Sequence, residues 1–426
     1  MRFLIVPNFA LPYDQRMVRG LATGLQSVGH QAEALAGPID DFSLAQACRN
    51  GVVDVVIRVN RLRSPKAPLP ADVRHVAWLQ DIFPETTDNI GERIHDNDIV
   101  YVLGDAEALG MNVKLPCFQG CLLTGIDEAA LAALPAPKGA EIDFSLCGFI
   151  PRPLDRIRHP IADATWYAAL IADKLRIFGK SYSARLLSYY VPDDIRQKVV
   201  ETVEAHYEPL RGNLNIHELS AILRKSAQEA VRQKGRQASL STADSSHDGE
   251  AARPRGAIDR LMSYAVRDYP RMLDRVALVT QILTVSQSVE LYGPGWSYHA
   301  PFKKFHKGIL NNFEDLAAVY GRTRINLANN THGLGLHSRT LECMAIGGFI
   351  FTHASPHDNK PGGMHTAFEP GVHYGMYTPE TLRDEALRWL KDEAKRQEAA
   401  AKSAAIVRRN HTWRDRANQI VADLSR

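Results

Sequence analysis

The stretch 329–342, NNTHGLGLHSRTLE, gathers residue types that can hold a phosphorylated ligand. Gly333 and Gly335 let the backbone come close to a bound group just before a helix start. Ser338 is predicted as the N-cap of that helix, whose unpaired N–H groups and positive dipole end suit phosphate. On this reading Arg339 faces anionic oxygens and Glu342 accepts hydrogen bonds from sugar hydroxyls. The plainer reading makes Arg339 and Glu342 an i,i+3 surface pair contributing roughly 0.2–0.5 kcal/mol. The core requires neither, because Leu341, Met344 and Ala345 at helical spacing supply the buried face. Gly347-Gly348 then stops the helix, and Phe349, Ile350 and Phe351 read as a buried strand.

Other residues carry a chemical and a structural reading side by side. Asp81 follows the apolar run VAWLQ, where a carboxylate can orient or deprotonate an acceptor hydroxyl, or simply cap a turn before Pro84. Asp14 and Arg16 follow the first strand and overhang its end, with Asp14 expected to cap a helix starting near Gln15. Asp96-x-Asp98 in HDNDIV has the look of a metal pair, but a solvated turn capping the next strand is favoured. Trp296 either stacks on a nucleobase or, as an aromatic ending a strand, belongs to the core. The five cysteines have no zinc-type spacing and are expected to pack as small hydrophobes.

A chain of 426 residues, 45% of them hydrophobic, has material for two ordinary cores. Its net charge of +3 is spread among interleaved acids and bases, which argues against a dedicated nucleic-acid binder. The opening MRFLIVP is too short for a signal-peptide core, and no run approaches the ~20 apolar residues of a membrane span. A cytoplasmic protein without a transmembrane segment is expected.

These residues must be positioned by a framework, and the sequence alternates strand and helix signals twice. RFLIVP, VVDVVIRV (52–59), RHVAWLQ (74–80), DIVYVL (98–103) and VKLP (113–116) read as strands of one parallel sheet, with Met17, Leu21, Leu25 and Val28 forming a helix closed by Gly29. ALPAPKGA (133–140) has linker composition. A second series runs through IDFSLCGFI (142–150), SVELYGPGW (288–296), RINLAN (324–329) and GFIFTH (348–353). The expected organisation is an N-terminal domain over 1–135, a C-terminal domain over 141–410 with a helical insertion at about 155–265, and a last helix over 411–426. Within the insertion, 236–256 is polar and reads as a loop.

VELYGPGW (289–296), RINLANNTHGLGLHSRTLECMAIGGFIFTH (324–353), FEPGVHYGMY (368–377) and RRNHTWRDRA (408–417) together resemble the GT-B glycosyltransferases. The resemblance is closest to the spore-maturation-protein-like branch, akin to glycosyl transferases of group 1 (family 4-like). It implies an α/β fold of two Rossmann-like doubly wound domains facing a cleft. It also implies a sugar transferred from a nucleoside-diphosphate donor to a glycan, protein or small-molecule acceptor, with retention and without metal or further cofactor. In that frame Glu342 holds the ribose. Arg339, Arg152 and the GLGLHS segment with Gly333, Gly335 and Ser338 hold the diphosphate, and Gly293 of the Tyr292-Gly293 turn also binds the nucleotide sugar. Arg275, with Arg271 as fallback, acts on the departing diphosphate. Leu334 stands where a second Glu of the large retaining family contacts the sugar, which shifts that role to His332, His337 or backbone amides. The expected catalytic residues are Asp81, Arg275 and His337. A nucleotide-sugar 2-epimerase and a non-catalytic nucleotide-sugar-binding or scaffold protein are the alternatives. The insertion is the expected place for acceptor specificity or self-association.

Overall fold

The computed structural model describes residues 1–51, 53–80, 90–111, 114–135, 139–151, 193–233, 261–310 and 312–426. Asp81, Arg152, most of the expected insertion before Asp193 and its polar stretch 236–256 lie outside the described residues.

Two six-stranded sheets organise the chain, and every strand pairing within them is parallel. The first consists of β1 (Arg2–Val6), β2 (Gln31–Ala34), β3 (Val55–Val59), β4 (Arg74–Leu79), β5 (Ile99–Val102) and β6 (Phe118–Cys121), in the order β2-β1-β3-β4-β5-β6. The second consists of β7 (Ile142–Cys147), β8 (Val289–Tyr292), β9 (His306–Gly308), β10 (Thr323–Ala328), β11 (Ile350–His353) and β12 (Gly375–Tyr377), in the order β12-β11-β10-β7-β8-β9. The chain is therefore α/β with two doubly wound domains. Central strands such as VVIRV are buried along their whole length, which explains their near-continuous apolar runs.

The helices are α1 (Pro12–Ser27), α2 (Asp41–Asn50), α3 (Glu128–Ala132), α4 (Asp193–His206), α5 (Ile216–Gln233), α6 (Tyr269–Ile282), α7 (Phe313–Arg322), α8 (Ser338–Ile346), α9 (Leu382–Lys391), α10 (Glu393–Asn410) and α11 (Trp413–Leu424). Pro12 begins α1, so Asp14 lies inside the first turn; its carboxylate reaches back to accept from the Phe9 N–H at 2.9 Å. The last helix, α11, packs on α1. Trp413, Ala417, Ile420 and Leu424 share a core with Met17, Val18, Leu21 and Leu25. A side chain at Gly20 would run into the Trp413 ring, which is why this helix pair has a glycine at the contact.

The helices α4 and α5 bury Ile195, Val199, Val203, Leu219 and Leu223 against the core of the second sheet. A π-helical turn, Tyr264–Asp268, leads directly into α6. Asp98 is buried rather than solvated as expected: it accepts from Arg63 Nε with both carboxylate oxygens at 2.9 Å and caps the turn by accepting from the His95 N–H. All five cysteines are free; Cys48, Cys147 and Cys343 are buried, whereas Cys117 and Cys121 are only half-buried. Among the described residues no helix is long and apolar enough to cross a membrane.

Candidate functional site

In a doubly wound sheet the crossovers leave in opposite directions at one point, and the crevice there opens beyond the carboxyl ends of the strands. In the second sheet that point lies between β7 and β10. A cavity of about 230 Å³ occupies it, lined among others by Phe149 after β7, Asn329 to Thr331 after β10, Arg271 and Arg275 of α6, and His337 and Arg339 at the start of α8.

The backbone leaving β7 is pinned by two hydrogen bonds. Gly148 N–H donates to Tyr292 O and the Trp296 indole donates to Gly148 O, both at 2.8 Å. Trp296 is fully buried, so it is a core aromatic that fixes the cavity floor. A Cβ at Gly148 would sit 3.0 Å from Arg339 Nη1 and 3.1 Å from Arg275 Nη2. Two guanidiniums thus converge on one point above a residue without a side chain. Arg275 is only 4% exposed, and its Nε and Nη1 have no hydrogen-bond partner. Burial, then the charges of Arg271 and Arg339, push its pKa well down. Arg271 and Arg275 also lie over the Phe149 ring, at 5.0 and 5.5 Å from its centroid. A buried cation with unspent donors amid further cations is costly alone and suits an anion.

His337, not Ser338, caps α8: its side chain accepts from the Arg339 N–H. Ser338 is the first helical residue, is buried, and receives a hydrogen bond from Tyr13 Oη at 3.1 Å. The sequence favoured the serine because histidine is not among the usual N-caps. Burial pushes the His337 pKa down to about 3, helped by Arg339, Arg271 and Arg275, so its ring is neutral and can accept. The α8 core face is as expected, with Leu341, Met344 and Ala345 buried, and Gly347 ends the helix at φ 92°.

Arg339 and Glu342 do not pair with each other. Glu342 receives Arg16 Nη2 from the first domain at 2.8 Å, and burial raises its pKa against the pull of Arg16 and then Arg339. It lies on a small apolar cleft with Tyr13, Phe313 and Trp413, apart from the arginine cavity. The surface pair with Arg339 does not describe it; the side chain joins the two domains.

A second chamber of about 110 Å³ shares Arg271, Asn330 and His337 with the first and extends to Gln80, Leu103 and Leu109 of the first domain. Leu334 lines it at 3% exposure and packs into the first domain's core with Leu79, Leu109 and Met111. Its far wall includes Ile216 and Arg267. The turn before Ile216 is held by a buried carboxylate. Asp274 accepts from Tyr207 Oη and from the Leu210 N–H, both at 2.8 Å.

Gly335 lines the first chamber, while Gly333 (φ 70°) leaves room for the Gly212 carbonyl and Gly293 (φ 113°) packs on the Gly148 carbonyl. Neither Gly333 nor Gly293 lines either chamber. Asp81 and Arg152 lie outside the described residues. Phe149 and Asn329, whose side-chain amide is buried with both polar atoms unpartnered, join the site without having been anticipated. Nothing in the sequence separates them from strand-end residues elsewhere.

Residues 268–422 match the family described as "Glycosyl transferase-like"; the match begins just before α6 and includes Arg271, Arg275, His337, Arg339 and Glu342. No curated protein matches the chain. Among solved structures the chain is similar to AviGT4, a glycosyltransferase involved in avilamycin A biosynthesis, at 12% identity and a TM-score of 0.47, covering 100% of this chain and 97% of that one. It is also similar to Alr3699/HepE of Anabaena in complex with UDP and glucose, at 10% identity and 0.45, covering 100% and 99%. A third is a glycosyltransferase of Rickettsia africae, at 9% identity and 0.46, covering 99% and 97%.

Proposed function

We propose that the chain is a glycosyltransferase that binds a nucleoside-diphosphate sugar at the β7/β10 crevice and transfers the sugar to an acceptor entering between the domains, with retention at the anomeric carbon. The observation that carries this is Arg275: a cation buried in the cavity with two nitrogens unspent, converging with Arg339 over Gly148. As the bond from sugar to diphosphate breaks, negative charge builds on the leaving oxygens. Guanidiniums already fixed in place stabilise that charge without reorganising. The match of 268–422 to a glycosyl transferase-like family supports the reading, as does the place of the cavity in the sheet. An epimerase would need acid and base carboxylates at the sugar, and among the described residues no carboxylate side chain lines either chamber.

Calorimetric titration with uridine, thymidine, guanosine, adenosine and cytidine diphosphates tests it. One should bind with a clear preference over its monophosphate, and Arg275→Gln should remove that preference. Equal affinity for mono- and diphosphate would place Arg275 away from the second phosphate and sink the reading.

A further inference from the structure

Resting on that reading, we propose that the second chamber is a subsite for an anionic substituent, a carboxylate or phosphate carried by the transferred sugar or by the acceptor, and that Arg267 is the residue that selects it.

Arg267, Arg271 and Arg275 are spaced by four residues through the π-helical turn and into α6. Such spacing stacks side chains along one helix face, and a π-helical turn often marks a functional site. They line the cavities in sequence: Arg275 the first chamber, Arg271 both, Arg267 the second. A diphosphate in the first chamber has Arg275, Arg339 and Arg271 to meet it. Arg267 stands beyond them, on the side toward the first domain.

The hydrogen-bonding inventory of the second chamber is weighted toward donors. Arginine offers only donors. Asn330 is spent on its own loop, donating to Leu334 O and accepting from the His332 N–H at 3.2 Å. Gln80 donates its amide to Met17 Sδ at 2.7 Å. Leu103, Leu109, Ile216, Leu334 and Leu336, with the rings of His332 and His337, make up the rest of the wall, and among the described residues no carboxylate faces it. A neutral sugar would leave the charge of the two guanidiniums unanswered. An anionic group needs donors alone, and an apolar surround strengthens its attraction to the guanidiniums. The His332 ring is neutral, its pKa pushed down to about 4 by burial and then by Arg271, so the guanidiniums alone carry the charge here.

The test uses the full chain and the nucleoside diphosphate that binds it tightest. In one arm that nucleotide carries glucose or glucuronic acid. In the other, protein saturated with the free nucleotide is titrated with glucose or glucuronate as the acceptor probe. One arm should show the acidic ligand binding at least tenfold tighter, which also identifies the source of the anion. Arg267→Gln should reduce that preference to within about twofold while free nucleoside diphosphate binds within twofold of the original, and Arg267→Lys should restore most of it. A preference below twofold in both arms, or one that Arg267→Gln leaves intact, overturns the inference while the glycosyltransferase reading stands. Failure of every nucleoside diphosphate to bind overturns both.

Discussion

The two domains repeat one topology and use it differently. Each sheet reverses strand order once, between β1 and β3 in the first and between β7 and β10 in the second, so each offers a crevice. At the first, the polar groups are largely spent at home. Asn60, held at φ 53°, accepts from the Gln80 N–H at 2.6 Å, Asp14 accepts from Phe9, and Arg58, although its Nε has no partner, is bound to Asp41 and to Leu62 O. At the second, Arg275 Nε and Nη1 and both polar atoms of the Asn329 amide are buried without a hydrogen-bond partner. Topology supplies the crevice; which one takes a ligand is decided by the polar groups left unsatisfied there.

The sharpest way to break this contrast is to remove one buried arginine from each domain, one paired and one not. Arg63→Met leaves Asp98, a nearly fully buried carboxylate, without its counterion. Stability should fall by about 3–5 kcal/mol, read by denaturant unfolding. Arg275→Met removes a buried cation that has no acidic partner in its cavity. The unliganded protein should become more stable, by about 1–3 kcal/mol, while nucleoside diphosphate binding weakens by about 1.5–3 kcal/mol. If both substitutions destabilise alike, Arg275 is a structural arginine and the contrast between the crevices fails.

A pH scan sharpens the same comparison. The folded chain holds His337 at about 3 and His332 at about 4, in each case first through burial, then for His337 through Arg339 and for His332 through Arg271. The ordinary value is about 6.5. A histidine held neutral contributes its full share to stability above about pH 6.5, and that share is lost as pH falls toward the folded value, because the unfolded chain takes up the proton first. At pH 5 each should cost about 1–2 kcal/mol. His337→Asn and His332→Asn should each flatten the decline between pH 7 and 5. Bound nucleoside diphosphate should raise both folded values and flatten it too. An unchanged slope in both variants would mean that the rings titrate in water.

The sequence made the long elements plain and the short ones obscure, for a physical reason. Strands buried on both faces, such as Val55–Val59 and Arg74–Leu79, leave near-continuous apolar runs. Edge strands leave none: β2 reads QAEA, β9 reads HKG and β12 reads GMY, and all three hold their place by backbone pairing on one side. The last of the five strands expected in the first sheet was placed at VKLP, whereas the sheet's last strand lies at Phe118–Cys121, an edge strand only partly buried. Arg339 was legible because a helix start is local, whereas Arg275 was named only through the family resemblance. The partners of Glu342 and Ser338 were not, since Arg16 and Tyr13 lie more than three hundred residues away.

That long-range pair yields the smallest effect and the finest test of how the crevices communicate. Arg16 bonds to Glu342 at 2.8 Å and also lies 5.5 Å from the centre of the Phe313 ring. The resemblance gives Glu342 to the ribose, so Arg16 and a ribose would compete for one carboxylate. A partly exposed pair of this kind contributes about 0.5–1 kcal/mol and weakens with salt. Arg16→Ala should therefore tighten nucleoside diphosphate binding about two- to fivefold at low salt, with the gain shrinking toward 0.5 M. Glu342→Ala should weaken binding by about 1–3 kcal/mol, through loss of a charged acceptor, and should abolish the benefit of Arg16→Ala when the two are combined. Weaker binding in Arg16→Ala would instead mean that Arg16 reaches the nucleotide itself, and that the first crevice takes part in holding the donor. Additive changes in the double variant would show that Arg16 and Glu342 act on binding separately, whatever their contact in the unliganded chain.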